Sequence, residues 1–121
     1  MSTALVVYLK NYRQNSNGEE ITVVTIIDYG SLKQDNLEEY NVSVISGSTA
    51  LQVFSRIAEL NLLNYSFGVY IKGVNGYIEQ GSNYWAFYYF NHEEQIWVYS
   101  EIGVSNYLVE QGEKIKLQYS I

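Results

Sequence analysis

Apolar and polar residues alternate along most of this chain. In residues 20–28 the alternation places Ile21, Val23, Thr25 and Ile27 on one side, as in a strand with one buried face. Similar patterns and short apolar runs predict further strands at residues 3–10, 40–46, 69–74, 84–90, 95–99 and 114–121. Asn17-Gly18 favours a hairpin turn that pairs 3–10 with 20–28, and Asn75-Gly76 favours a second turn.

The period changes once, after the strand at 40–46. Thr49 can cap a helix with its hydroxyl, and Gln52 follows three residues later, as in a capping box. The apolar residues that recur at helical spacing are Ala50, Leu51, Phe54, Ile57 and Ala58. The pattern predicts one amphipathic helix at residues 49–60.

One helix among several strands indicates an α+β fold, with a mostly antiparallel sheet of about six to seven strands packed on the helix. At 121 residues the chain fits a single domain, because one hydrophobic core commonly serves about 100 to 150 residues. Apolar residues make up 47% of the chain and charged residues 17%, which is ample for a folded core. We therefore expect one domain over residues 1–121.

Charge and composition exclude several classes of function. The net charge of −6 and the scattered lysines and arginines disfavour binding to a nucleic-acid backbone. No apolar run approaches the roughly 20 residues of a membrane span. The chain has no cysteine, and its first residues lack the pattern of a secretory signal peptide.

Nothing in the sequence predicts catalysis. The single histidine, His92, lies in a polar segment without a recognisable nucleophile beside it. The adjacent glutamate pairs resemble solvated charges on loops and edges, and no metal-ligand spacing or phosphate-binding glycine loop is present. We expect a protein that is not an enzyme, with no catalytic residue and no metal site.

Aromatic residues supply the strongest indication of binding. The chain contains 13 tyrosines, each with apolar area and a hydroxyl that can form hydrogen bonds. In residues 84–90 both faces of the predicted strand carry aromatic rings, although one helix can cover only one face of a sheet. The second face is covered either by other parts of the chain or by a ligand.

Several segments from Gly47 onward resemble the carboxy-terminal domain of transcobalamin and intrinsic factor, and related bacterial and archaeal domains of unknown function. The segments that carry this resemblance are Gly47-Ser48-Thr49-Ala50-Leu51, Ile71 to Gly76, Tyr84-Trp85, Gly103-Val104-Ser105-Asn106-Tyr107 and Gly112-Glu113-Lys114-Ile115-Lys116-Leu117. They lie in roughly the last two-thirds of the chain. The resemblance implies a β-grasp-like fold and an extracellular or cell-surface location.

In transcobalamin this domain closes over one face of cobalamin. The resemblance therefore implies ligand contacts at Tyr84, Trp85, Val104, Ser105 and Tyr107. The large helical domain that forms most of the corrinoid site has no counterpart in this chain, so we expect no tight binding of cobalamin and no resident cofactor.

Three functions follow from this sequence. The first is a binding module that recognises a small molecule, a glycan or a protein through an aromatic patch. The second is a structural or adhesion subunit that self-associates by strand addition, for which the apolar residues 4–9 are the candidate edge. The third is a cobalamin cap that needs a partner domain.

Overall fold

A computed structural model describes residues 18–120. The predicted strand at 3–10 and its turn at Asn17 lie outside the described residues. Within them the strands are β1 (Glu20–Asp28), β2 (Leu37–Ile45), β3 (Leu60–Tyr65), β4 (Gly68–Val74), β5 (Tyr77–Ile78), β6 (Tyr84–Asn91), β7 (Ile96–Tyr99) and β8 (Lys114–Ser120). The helix α1 spans Ala50–Ser55, and a short 3-10 helix spans Gly30–Leu32.

Five of these strands form one sheet in the order β2-β1-β8-β6-β7. The central pair, β1 and β8, is parallel, and the other neighbours are antiparallel. Both edges of β1 from Val24 to Asp28 are therefore taken, by β2 on one side and β8 on the other. The predicted pairing of 20–28 with 3–10 involves residues outside the described range, so it stays a prediction.

The other three strands form a second sheet in the order β3-β4-β5. Asn75 and Gly76 join β4 to β5 with φ values of 51° and 87°, which confirms the predicted turn. The α+β class is confirmed, but residues 18–120 carry eight strands in two sheets rather than six to seven in one. The prediction missed β3 and β5, because β3 lacks β-branched residues and β5 has only two residues.

The helix begins as predicted and ends early. Thr49 Oγ1 accepts a hydrogen bond from Gln52 N at 3.2 Å, and Gln52 Oε1 accepts one from Thr49 N at 2.8 Å, which completes the capping box. The helix stops at Ser55, five residues before the predicted end. The backbone of Glu59 instead exchanges two hydrogen bonds with Asn75, of 2.7 and 2.8 Å, which starts the second sheet.

The helix and the second sheet lie on the same face of the five-stranded sheet. Phe54 of α1 meets Phe87 of β6 edge to face at 5.9 Å. Trp85, two residues before Phe87, donates its indole N–H to the carbonyl of Tyr77 in β5 at 2.9 Å. Trp85 and Phe87, which are alternate residues of β6, thus point into the core. The residues between them point to the opposite face of the sheet. No helix among residues 18–120 is long and apolar enough to cross a membrane.

A concave aromatic face as the candidate functional site

The loop that follows β7 is held in place by its own hydrogen bonds. Ser100 N donates to Phe87 O at 3.0 Å, which extends the pairing of β6 and β7 by one residue. The buried Ser100 hydroxyl donates to Ile102 O at 2.7 Å and accepts from Ile102 N at 3.1 Å. These bonds close a tight turn that leaves the Ile102 side chain 53% exposed.

The second half of the same loop supplies acceptors for the amino terminus of α1. Ala50 N donates to Tyr107 O at 2.8 Å, and Leu51 N donates to Val104 O at 2.9 Å. The first amide groups of a helix have no partner within the helix, so these carbonyls stabilise it and fix the loop against it. The segment from Val104 to Tyr107 is therefore part of the rigid frame.

Three of the predicted contact residues line a cavity of about 140 Å³ between β4, β6 and the loop. Tyr84 is half-buried at its wall. Trp85 is only 4% exposed and packs edge to face against Tyr29 and Tyr119, at 5.8 and 5.3 Å. Val104 is also buried. Trp85 and Val104 thus form part of the core as well as the floor of this cavity.

Ser105, the fourth predicted residue, lines a groove of about 390 Å³ between the loop and the tip of the β3–β4 hairpin. Its hydroxyl accepts a hydrogen bond from Val69 N at 3.0 Å. Beside it, Asn106 Nδ2 donates to Phe67 O at 3.3 Å. These two bonds tie the hairpin tip to the loop and fix the width of the groove.

Tyr107, the fifth predicted residue, lines a cavity of about 440 Å³ on the other side of the loop. Its half-buried ring packs edge to face on Phe87 at 5.0 Å and lies 5.9 Å from the ring of Tyr89. Its hydroxyl donates to the carboxylate of Glu113. Burial, together with this hydrogen bond, raises the pKa of Tyr107.

The three concavities adjoin one another at Ile102, which lines all of them. We call the surface that they share the Ile102 face. The structure therefore places all five predicted residues around one loop, although it divides them among three adjoining concavities. Two exposed aromatic residues rim the face: Phe67 is 76% exposed and stacks on Tyr65 at 5.1 Å, and Tyr99 is 55% exposed.

The Ile102 face is aromatic and carries little charge. Within residues 18–120, its lining contains one carboxylate, that of Glu101, and no lysine, arginine or histidine. Burial, and then the hydrogen bond to Glu79, raises the pKa of Tyr70 on this face to about 12. Among residues 18–120, no three histidine, aspartate or glutamate side chains converge to hold a metal ion.

Sequence reasoning missed several residues of this face. Ser100 and Ile102 follow Tyr99, the last residue of the strand predicted at 95–99, and an apolar isoleucine next to Gly103 in such a loop was the available signal. Phe67 and Tyr70 reach the face because β3 and β4 form a hairpin. Since β3 was not predicted, no sequence pattern placed Phe67 near the loop.

Two solved structures are similar to this chain in fold. Haptocorrin, of the transcobalamin family, in a crystal structure with cobinamide (Cbi), matches 89% of this chain with a TM-score of 0.70 and 19% sequence identity. The match covers 27% of the haptocorrin chain, so this chain spans about a quarter of that protein. At this identity the likeness confirms the resemblance only as a distant similarity of fold.

A second solved structure is similar over its whole length. It is a candidate metal-binding protein from Ruminococcus gnavus ATCC 29149, with a TM-score of 0.53 and 12% identity, and the match covers 83% of this chain and 96% of that one. No family model matches this sequence, and no curated protein matches it. The first of these structures is a complex with Cbi, and the second is named for metal binding.

Proposed function

We propose that this chain is a non-catalytic binding module whose ligand occupies the Ile102 face. The observation that carries the proposal is that Tyr84, Trp85, Val104, Ser105 and Tyr107 line three concavities that meet at one exposed isoleucine. The loop that carries the last three of them is fixed by hydrogen bonds to α1 and to the β3–β4 hairpin. A preformed concave surface of aromatic side chains with a few polar groups is typical of ligand sites.

The residues of the face divide into two roles. Trp85 and Val104 form its floor, where their burial holds the shape of the small cavity. Ile102, Phe67 and Tyr99 stand at the rim with more than half of each side chain exposed, so a ligand would remove substantial apolar area from water. We infer that affinity depends mainly on the rim.

The charge of the face defines the class of ligand. A carboxylate or phosphate group would meet Glu101 and find no cationic side chain among the described residues of the lining. A neutral or cationic small molecule with a flat apolar surface, or a neutral glycan, suits the aromatic rim and its hydroxyl groups. The concavities of about 390 and 440 Å³ fall within the usual range of ligand pockets, about 300–1,000 Å³.

A second candidate function is a cap over a corrinoid that a partner domain binds from the other side. The similarity to haptocorrin with bound cobinamide favours it, and the chain spans only about a quarter of that protein. The open concavities would then enclose a ligand only after the partner domain closed over them.

The five-stranded sheet also supports a β-grasp-like fold, since its strands β1 and β8 are parallel and flanked by antiparallel neighbours. The extracellular location stays a prediction from the resemblance.

The test is a fragment screen on the full chain labelled with ¹⁵N. We expect neutral and cationic aromatic fragments to shift the amide signals of residues 67–71 and 99–107, and anionic fragments to bind at least tenfold more weakly. Ile102→Asp should abolish these shifts. Leu108→Asp is the matched control, because Leu108 is 62% exposed and lines none of the three concavities. Fragments that cluster elsewhere, or equal losses in both variants, would contradict the proposal.

A further inference from the structure

The opposite side of the five-stranded sheet carries a second aromatic surface. Side chains of β1, β6, β7 and β8 that point away from α1 form two rows across the strands. The first row runs from Val24 on β1 to Lys114 on β8, and then to Phe90 on β6 and Trp97 on β7. The second row runs from Ile26 on β1 to Lys116 on β8 and Tyr88 on β6. We call these residues the lysine face: Val24, Ile26, Tyr88, Phe90, Trp97, Lys114 and Lys116.

Both lysines of this face lie over aromatic rings. Lys114 Nζ is 4.7 Å from the centroid of the Phe90 ring. Lys116 Nζ is 4.3 Å from the centroid of Trp97 and 5.2 Å from that of Tyr88. The two ammonium groups share the Trp97 ring, since Lys114 Nζ is also 6.0 Å from its centroid. The rings thus hold both ammonium groups at the surface of the sheet in fixed positions.

Within residues 18–120, neither ammonium group forms an ion pair with a carboxylate. There, Lys33 and Glu38 form an ion pair at 3.5 Å, whereas neither Lys114 nor Lys116 has a carboxylate oxygen within 4.0 Å. Burial lowers the pKa of Lys116, and the more distant Asp28 opposes that change only in part. A ring attracts an ammonium through its quadrupole but does not neutralise it, so an anion placed above the two groups would be stabilised.

We propose that the lysine face is a second binding surface, which adjoins the Ile102 face where Tyr88 packs against Tyr99, and that it binds an acidic segment of a partner protein. Lys114 and Lys116 are two residues apart on one strand, and alternate residues of a strand are about 6.7 Å apart. An extended segment with carboxylates at alternate positions has the same spacing. The aliphatic parts of those acidic side chains would lie against Val24, Ile26 and the rings, which include the tryptophan and tyrosine common in interface hot spots.

A polyanion such as nucleic acid fits this face less well. The chain carries a net charge of −6, so a phosphate backbone that extended beyond the two lysines would meet overall repulsion. A short acidic segment needs to approach only the lysines. Electrostatic complementarity limited to one patch is characteristic of protein interfaces, where it selects the partner and accelerates association.

The experiment titrates the ¹⁵N-labelled full chain with the peptide Ac-Glu-Tyr-Glu-Tyr-Glu-NH2. We expect shifts in the amide signals of residues 88–90, 96–98 and 114–118, with those of residues 100–107 unchanged. The same peptide with glutamine in place of glutamate should bind at least tenfold more weakly. Shifts confined to residues 100–107, equal binding of the two peptides, or no binding at millimolar peptide would overturn the proposal.

Paired variants distinguish binding at the lysine face from a general electrostatic attraction of the peptide to positive charges on the protein. Lys114→Gln with Lys116→Gln should weaken peptide binding at least tenfold. Arg56→Gln with Lys72→Gln changes the net charge equally at exposed positions outside the face, and should change the dissociation constant less than twofold. Equal losses would refute the assignment. If the first double variant fails to fold, Lys116→Arg and Lys116→Gln singly give the same comparison, with binding retained only by arginine.

Two further probes distinguish the class of partner. Inorganic polyphosphate and a heparin hexasaccharide present phosphate and sulfate groups without a polypeptide. We expect either to bind at least tenfold more weakly than the glutamate peptide at 150 mM salt. Tighter binding of one of them at the same amide positions would overturn the assignment to a protein partner and show a surface for polyanions.

Discussion

Replacement of Trp85 by alanine tests whether this residue belongs to the core or to the ligand contacts. The indole is 4% exposed, contacts two aromatic rings edge to face, and donates its N–H to Tyr77 O. Removal of a buried tryptophan costs about 3–5 kcal/mol through lost burial and the cavity that remains. A domain of this size has a total stability of about 5–15 kcal/mol, so the variant should fold only marginally.

A second variant separates the contribution of the hydrogen bond to stability from that of packing. Trp85→Phe keeps an aromatic ring in place but removes the N–H, which leaves the Tyr77 carbonyl without that partner. An unsatisfied buried acceptor costs about 1–3 kcal/mol, so Trp85→Phe should lie between the wild type and Trp85→Ala. Phe67→Ala is the control for aromatic truncation, because Phe67 is 76% exposed and its loss should change stability by no more than about 0.5 kcal/mol.

The assay is urea unfolding at 25 °C, followed by far-ultraviolet circular dichroism, since loss of a tryptophan would distort a fluorescence signal. With an m-value of about 1–3 kcal/mol/M, the unfolding midpoint of Trp85→Ala should fall by more than about 1 M. A large loss assigns Trp85 to the frame of the site and removes it from the direct contacts. A loss below about 1 kcal/mol, or a loss equal to that of Phe67→Ala, would refute the reasoning from burial.

Three other measurements test the remaining conclusions. His92→Ala and Glu93→Gln, both in the exposed turn between β6 and β7, should each change the free energy of unfolding by no more than about 0.5 kcal/mol, and a loss several times larger in thermal melts would contradict this. Calorimetric titration of the isolated chain with cobalamin or cobinamide should show no nanomolar affinity, because the concavities are open; nanomolar binding would show that no partner domain is needed. The pKa of Tyr70 is raised from 10.0 to about 12, so its contribution to stability is complete below pH 10 and is lost as the pH rises towards 12. The urea midpoint should therefore fall across this range, and an equal fall in Tyr70→Phe would exclude Tyr70 as a cause.

The sequence by itself determined those elements whose signal is local. Alternation in 20–28 and 114–120 fixes which side chains of β1 and β8 face the core, because successive residues of a strand point to opposite faces. Asn75-Gly76 determines a turn, and Thr49 with Gln52 determines where the helix starts. Each of these patterns acts within a few residues, so it can be read without knowledge of the rest of the fold.

Only the tertiary structure decided where the helix ends and where the second sheet lies. Ile57 and Ala58 continue the helical pattern, but Glu59 pairs with Asn75, which is 16 residues away in the sequence. The short strand β3 forms because β4 supplies its hydrogen-bond partners. Strand propensity depends on such neighbours more than helix propensity does, and no local pattern encodes them.

For the two candidate binding surfaces, too, the sequence indicated some features and only the tertiary structure decided the others. The sequence showed that both faces of residues 84–90 are aromatic, and the resemblance indicated the loop at 103–107, but neither could separate floor from rim. The fold buries Trp85, exposes Ile102 and brings Phe67 to the loop from a distant hairpin. It also places Lys116 beside Trp97 across two strand neighbours. Exposure and proximity depend on which elements pack together, and that is decided by the whole core rather than by any one segment.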